Sequence, residues 1–206
     1  MTGPSVLDVS PVIPVVVLDD AQAAVPLARA LLAGGIGVVE LTLRTTTALD
    51  AVRAVATEVP EILLGAGTVT CAEDAARAVD AGAQFLVSPG TTRAVVEAAR
   101  SRDVPLLAGV ATPSEALLAL EMGLHELKFF PAEQAGGAAY LAALRSPLPQ
   151  LRFCPTGGIT PANAPGYLAL ANVGCVGGSW ITPPDVLARR DFGRVEELAR
   201  AAVALR

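Results

Sequence analysis

Val38-Val39-Glu40-Leu41-Thr42-Leu43-Arg44 is followed by an amphipathic stretch over 46–58 and then by a second short apolar run over 62–65. The first run alternates: Glu40, Thr42 and Arg44 fall on one face of a strand, Leu41 and Leu43 on the other. The stretch over 46–58 repeats its apolar residues at helical spacing. Strand, helix, strand is the crossover that joins parallel neighbours.

The unit recurs along the whole chain. Strands are expected at 12–17, 38–43, 62–65, 85–87, 106–108, 126–129, 152–154 and 173–176. Amphipathic helices are expected at 21–32, 46–58, 72–80, 92–100, 113–120 and 161–170, and residues 183–206 form a final helical segment. Gly stands before the next strand in Ala33-Gly34-Gly35-Ile36, Asp80-Ala81-Gly82-Ala83 and Glu121-Met122-Gly123-Leu124. That is where a helix ends and the chain turns back. Eight such units predict an α/β fold, a single (β/α)8 barrel occupying residues 1–206 as one domain. A doubly wound open sheet is the alternative. It usually carries a Gly-rich first turn, and none follows strand one.

Composition narrows the function classes. The 206 residues are 52% hydrophobic and 17% charged, which suits a tightly packed α/β protein. No apolar stretch is long enough to span a bilayer, and Met1-Thr2-Gly3-Pro4-Ser5-Val6-Leu7-Asp8 lacks the pattern of a signal peptide. A net charge of −5 with no basic run argues against nucleic acid as a partner. Cys71, Cys154 and Cys175 are scattered and odd in number, so they read as reduced core residues of a cytoplasmic protein. With one histidine, His125, a histidine-rich metal site is not expected, although carboxylates alone could hold magnesium.

The chemistry concentrates at the strand ends, where a barrel of this kind places its active site. Lys128 is the only lysine among 15 basic residues, so lysine is not used here to decorate the surface. It lies in Leu127-Lys128-Phe129-Phe130-Pro131, at the end of an expected buried strand. Burial disfavours an amine's charged form and frees its lone pair for attack on a carbonyl. The alternative is a lysine that snorkels to the surface. On strand two, Glu40 could move protons and Arg44 could clamp a carboxylate, or the two could form an internal ion pair.

Other strand ends carry glycines. Gly65-Ala66-Gly67-Thr68-Val69 permits close backbone approach and adds a hydroxyl; Ser88-Pro89-Gly90 ends strand four in the same manner. Pro155-Thr156-Gly157-Gly158-Ile159-Thr160-Pro161 and Gly177-Gly178-Ser179 end strands seven and eight. Paired glycines there, leading into helix N-termini, make the phosphate cradle of many barrels; each alone could be a simple turn. His125 is expected to be structural, and Trp180 and Tyr140 to pack.

Together these segments resemble a known family. Glu40-Leu41-Thr42-Leu43-Arg44-Thr45, Gly65-Ala66-Gly67-Thr68-Val69, Phe85-Leu86-Val87-Ser88-Pro89-Gly90, Leu127-Lys128-Phe129-Phe130-Pro131-Ala132-Glu133, Arg152-Phe153-Cys154-Pro155-Thr156-Gly157-Gly158-Ile159 and Gly177-Gly178-Ser179-Trp180 are similar, in order and over nearly the whole chain, to the bacterial 2-keto-3-deoxy-6-phosphogluconate and 4-hydroxy-2-oxoglutarate aldolases. The resemblance implies a class I aldolase of the Entner–Doudoroff pathway, a (β/α)8 homotrimer that needs no metal or other cofactor. Its expected ligands are a phosphorylated keto-deoxy sugar acid and pyruvate.

The resemblance also implies roles. Lys128 corresponds to the Schiff-base lysine and Glu40 to the general acid/base, working partly through water. Arg44 and Thr68 correspond to the carboxylate-binding pair. Pro89 and Phe130 resemble the apolar wall around the imine. Thr156 resembles the hydroxyl that faces the aldehyde end, and Gly157, Gly158, Gly178 and Ser179 the phosphate cradle. The chain departs from many relatives in three places. Ala108 stands where proline is common, strand one ends in Val17-Leu18-Asp19 with no basic residue inside it, and only about eleven residues precede that strand. Activity on 4-hydroxy-2-oxoglutarate or on the galactonate epimer, a magnesium-dependent aldolase and a non-catalytic phosphosugar-binding barrel remain the alternatives.

Overall fold

The computed structural model describes residues 5–205. Eight strands are all parallel: β1 Val12–Val16, β2 Val38–Thr42, β3 Leu63–Gly67, β4 Phe85–Val87, β5 Leu106–Val110, β6 Glu126–Phe129, β7 Arg152–Pro155 and β8 Val176–Gly178. Each lies beside its neighbour in the chain, and β8 returns to β1. Bridges at Phe153–Val173 and Thr156–Gly177 close the ring between β7 and the β8 segment. The expected (β/α)8 barrel is therefore the fold.

The helices are α1 Ala24–Ala33, α2 Ala48–Glu58, α3 Ala72–Asp80, α4 Arg93–Ser101, α5 Pro113–Glu121, α6 Gly137–Leu144, α7 Ala164–Leu168, α8 Pro184–Ala188 and α9 Phe192–Val203. Local chemistry starts several of them. Thr112 accepts from the Glu115 N–H while Glu115 reaches back, a capping box with Pro113 in the first turn. Thr92 and Asp191 cap α4 and α9 in the simpler way. Small buried faces, such as Ala51, Val52 and Val55 on α2, bring the helices close to the sheet.

The core has two layers. Between sheet and helices lie Val39, Leu41, Leu64, Ala66 and Leu86, all within 3% of full burial. Inside the barrel, Val15, Glu40, Gly65 and Phe85 share one register level, and the Phe85 ring lies against Gly65. The polar face of β2 thus points inward, as its alternation predicted. Thr42 uses its hydroxyl structurally, donating to the Val16 carbonyl at 2.8 Å.

Residues before β1 pack across the bottom of the barrel. A single 3₁₀ turn, Val6–Asp8, buries Leu7 completely. Arg152 at the foot of β7 joins Asp8 at 2.5 Å and Glu126 at 3.0 Å, and the Ser5 hydroxyl donates to Glu126. The described segment before strand one, from Ser5, therefore caps the barrel bottom.

Several boundaries differ from expectation. β3 runs to Gly67 because all five of its residues pair in register with β2. β8 begins three residues later than expected. α7 starts at Ala164 because Thr160 and Asn163 bond each other's backbone N–H and form a turn first. The final segment divides at Arg190, which takes a φ of 53° between α8 and α9. α6, which was not among the expected helices, follows Gly136 and packs Leu141 and Leu144 inward. Cys154 and Cys175 are buried as expected, whereas Cys71 is exposed, because it caps α3 and its sulfur accepts from the Asp74 N–H. Among the described residues no helix is long and apolar enough to cross a membrane.

Candidate active site

Lys128 on β6 and Glu40 on β2 meet inside the barrel, with Nζ 3.8 Å from Oε1 and both side chains about 95% buried. The lysine does not snorkel to the surface. The partner of Glu40 is Lys128: no Glu40–Arg44 ion pair forms among the described residues. At 3.8 Å the contact is too long for a hydrogen bond, and Oε1 has no hydrogen-bond partner among the described residues. Burial pushes the Glu40 carboxyl above its ordinary range, and the charges of Lys128 and Arg44 pull it back only in part. A buried carboxyl with a raised pKa beside an amine suits proton transfer.

The local backbone makes room for this pair. Gly67 is in register with Thr42, and a Cβ there would fall on the Glu40 carboxylate. The next residue, Thr68, takes a φ of 59°, a left-handed conformation that is costly for a β-branched side chain. Its hydroxyl accepts from Arg44 Nε at 3.1 Å. That bond orients a guanidinium whose remaining donors can grip a carboxylate.

Phe130, two residues past the lysine, holds its ring centroid 5.0 Å from Nζ, within cation–π range. It also lines a cleft of about 410 Å³ at the barrel mouth. Arg44, Thr156, Gly157, Gly158, Gly178 and Ser179 line the same cleft, while Lys128 and Glu40 lie outside its wall, buried in the barrel. Gly157 and Gly158 have φ of 101° and 75°, a conformation that side chains rarely adopt. The Asn163 side-chain amide holds the Gly158 carbonyl at 3.0 Å. Thr156 is 7% exposed, and its hydroxyl faces Gly177 across the β7–β8 seam.

The structure does not gather every candidate. Pro89 is exposed at the end of β4 and is not on the cleft wall; its carbonyl packs against Gly109, the register partner of Lys128. The helices after the cradle begin at Ala164 and Pro184; the glycines lie in the loops before them, and the first turn of α8, at Pro184 and Leu187, also reaches the cleft. His125 is exposed at the start of β6, away from the mouth. Tyr140 stacks on Phe129 at 5.7 Å, and Trp180 packs over Gly178. Val15, Val17, Ile159, Gly177, Thr182, Pro184 and Leu187 complete the cleft; Val17, Ile159 and Gly177 stand in segments quoted from the sequence, whereas Val15, Thr182, Pro184 and Leu187 were not singled out as site residues. Only the short distance of α8 from the last strand end hinted at its residues. Among the described residues no cluster of three or more His, Cys, Asp or Glu is arranged to hold a metal ion.

Comparison with known proteins agrees with this geometry. The model of the KDPG and KHG aldolase family matches residues 4–198. The KHG/KDPG aldolase of Escherichia coli K12 is 51% identical over 97% of this chain and 93% of its own. A crystal structure of KDPG aldolase from Legionella pneumophila, with pyruvate captured as a covalent carbinolamine, superposes with a TM-score of 0.94 at 45% identity, over 96% of both chains. The aldolase of Zymomonas mobilis with 3-phosphoglycerate gives a TM-score of 0.92 at 44% identity, over 97% of this chain and 94% of that one. A barrel closed at β7–β8, a buried lysine facing a carboxyl and this likeness along almost the whole chain lead to one conclusion: the chain belongs to the KDPG and KHG aldolase family.

Proposed function

We propose that this chain is a class I aldolase that cleaves 2-dehydro-3-deoxy-6-phosphogluconate to pyruvate and glyceraldehyde 3-phosphate through an imine on Lys128. The observation that carries this is the chain's one lysine, buried 3.8 Å from a buried carboxyl. The amine adds to the C2 ketone, giving a carbinolamine and then, with loss of water, an iminium that serves as electron sink. Arg44 and Thr68 hold the substrate carboxylate. Glu40 takes the C4 hydroxyl proton as the C3–C4 bond breaks, and glyceraldehyde 3-phosphate leaves. The bonding electrons pass into the enamine. Protonation at C3 and addition of water then release pyruvate and restore the amine.

Phe130 walls the imine and Thr156 faces the aldehyde end. The amides of Gly157, Gly158, Gly178 and Ser179 receive the phosphate. Pro89 acts through the backbone beside β5, behind the lysine. The reaction as written uses neither metal nor other cofactor, so a chelator should leave turnover unchanged.

4-Hydroxy-2-oxoglutarate is a second substrate, because its pyruvyl half is the same and the Escherichia coli relative bears both names. We further propose a cytoplasmic homotrimer, which acts on small molecules and not on nucleic acid or membranes. Support for the trimer is the family resemblance, and two exposed leucines on α5, Leu117 and Leu118, are available to an interface. Steady-state rates on the two substrates and on the galactonate epimer test the assignment. The phosphorylated gluconate should lead 4-hydroxy-2-oxoglutarate in kcat/KM by about tenfold or more, since binding at the phosphate is available to lower its barrier, and should exceed the galactonate epimer, which carries the same phosphate, through Thr156 at the aldehyde end. Equal or lower kcat/KM on that substrate would remove it as the principal one.

A further inference from the structure

The loop after β6 brings an acidic side chain against the loop to which we assign the phosphate. The Ala132 N–H donates to the Thr156 carbonyl at 2.8 Å and the Glu133 N–H to the Gly157 carbonyl at 3.1 Å. The Glu133 side chain then packs on Gly158, where an added Cβ would stand 2.6 Å from its Cγ and 2.8 Å from its Cβ. A carboxylate in that position is an internal competitor, because free amides that receive a phosphate also receive a carboxylate.

The structure holds this carboxylate by one bond from a third element. Tyr167 on α7 is 1% exposed, and its hydroxyl donates to Glu133 Oε1. Burial and then this bond push the phenol well above its ordinary range, so it remains a donor. Asn163, at the start of the same helix, holds the Gly158 carbonyl. α7 therefore fixes both the glycine loop and the acid beside it.

We propose that Tyr167 is a positioning residue for the phosphate end of the substrate: its hydroxyl holds the Glu133 carboxylate away from the Gly157 and Gly158 amides and leaves them open to the substrate's phosphate. This rests on the assignment of those amides to phosphate. Tyr167→Phe releases the carboxylate. KM for the phosphorylated substrate and the inhibition constant of inorganic phosphate should both rise about fivefold, the scale of one charge-assisted hydrogen bond partly offset by solvent. The kcat and the rate of deuterium exchange into the pyruvate methyl group, which needs no phosphate, should stay within about twofold. Adding Glu133→Gln removes the competing charge and should restore KM in the double variant. A merely structural tyrosine would instead depress exchange and kcat together and would not be rescued.

If Tyr167→Phe does not fold, Glu133→Asp, a change at an exposed residue, withdraws the carboxylate from Tyr167 while keeping the charge, and KM should rise likewise. Unchanged KM and phosphate inhibition in the folded variant would overturn the proposal. The dephosphorylated substrate, 2-dehydro-3-deoxygluconate, separates the two ways of failing. If loss of the phosphate raises the parent's KM where Tyr167→Phe does not, the phosphate assignment stands and the role of Tyr167 falls. If neither raises KM, both fall.

Discussion

Strand β6 carries two ionisable side chains two residues apart, and the barrel treats them in opposite ways. At the lower end, Glu126 accepts from Arg152 at 3.0 Å and from the Ser5 hydroxyl, and Arg152 goes on to Asp8. At the upper end, Lys128 stands 3.8 Å from a carboxylate oxygen that has no hydrogen-bond partner among the described residues. The lower cluster is half-exposed and satisfied, the upper one buried and unsatisfied. Satisfied polar groups rigidify, whereas unsatisfied buried ones store interaction energy that a substrate can take up. The difference separates the end that closes the barrel from the end equipped for chemistry.

The contrast breaks most visibly at the lysine. Lys128→Ala should lower kcat by about 10⁴-fold or more while the thermal unfolding curve stays cooperative. A variant with near-normal turnover would remove the imine. Gly67→Ala comes next. Its methyl would occupy the place of the Glu40 carboxylate, and a displacement of about 1 Å is enough for a roughly 100-fold loss of kcat. Normal kcat in folded Gly67→Ala would show that the carboxyl need not sit where the structure has it.

The pH profile sharpens the upper half. Glu40 must be ionised to take the hydroxyl proton, so the rate falls as pH drops through its pKa. Burial raises that pKa in the free enzyme, so the acid limb of kcat/KM should lie above 4.5, the ordinary glutamate value, and should vanish in Glu40→Gln. A limb at or below 4.5 in the parent would contradict the burial. The lower half should respond in stability alone. Leu7→Ala should lower the unfolding free energy by about 2–5 kcal/mol. Arg152→Ala, at a partly exposed site, should lower it by about 1 kcal/mol. Both should leave kcat unchanged in denaturant-melted and kinetic assays of the same samples, and a loss of kcat would couple the two ends.

Much of this was legible in the chain because strands and helices are set by near-neighbour pattern. Glu40 to Arg44 alternates visibly, and so Glu40, Thr42 and Arg44 could be placed on one face of the strand, although only the structure shows that Arg44 reaches the cleft while Glu40 stays buried below it. β3 was harder. Gly65, Ala66 and Gly67 carry no strand propensity of their own, and only pairing with β2 makes them a strand. α7 was drawn too long because the Thr160–Asn163 turn is a side-chain effect that apolar spacing does not register. The cleft walls at Thr182, Pro184 and Leu187 depend on how α8 folds back over the mouth. Pro89 shows the reverse limit: the matched segment is present, yet its ring is not on the cleft wall. Glu133 and Tyr167 lie 34 residues apart, and no local pattern links them.

The central claim is an imine on Lys128, and trapping tests it most directly. The protein is incubated with pyruvate, reduced with borohydride, weighed intact and mapped by peptide. Because the chain has one lysine, the N-terminus is the only competing amine. One pyruvate-derived adduct on the peptide containing Lys128 is the predicted result. Folded protein that takes no label at Lys128 would contradict the account.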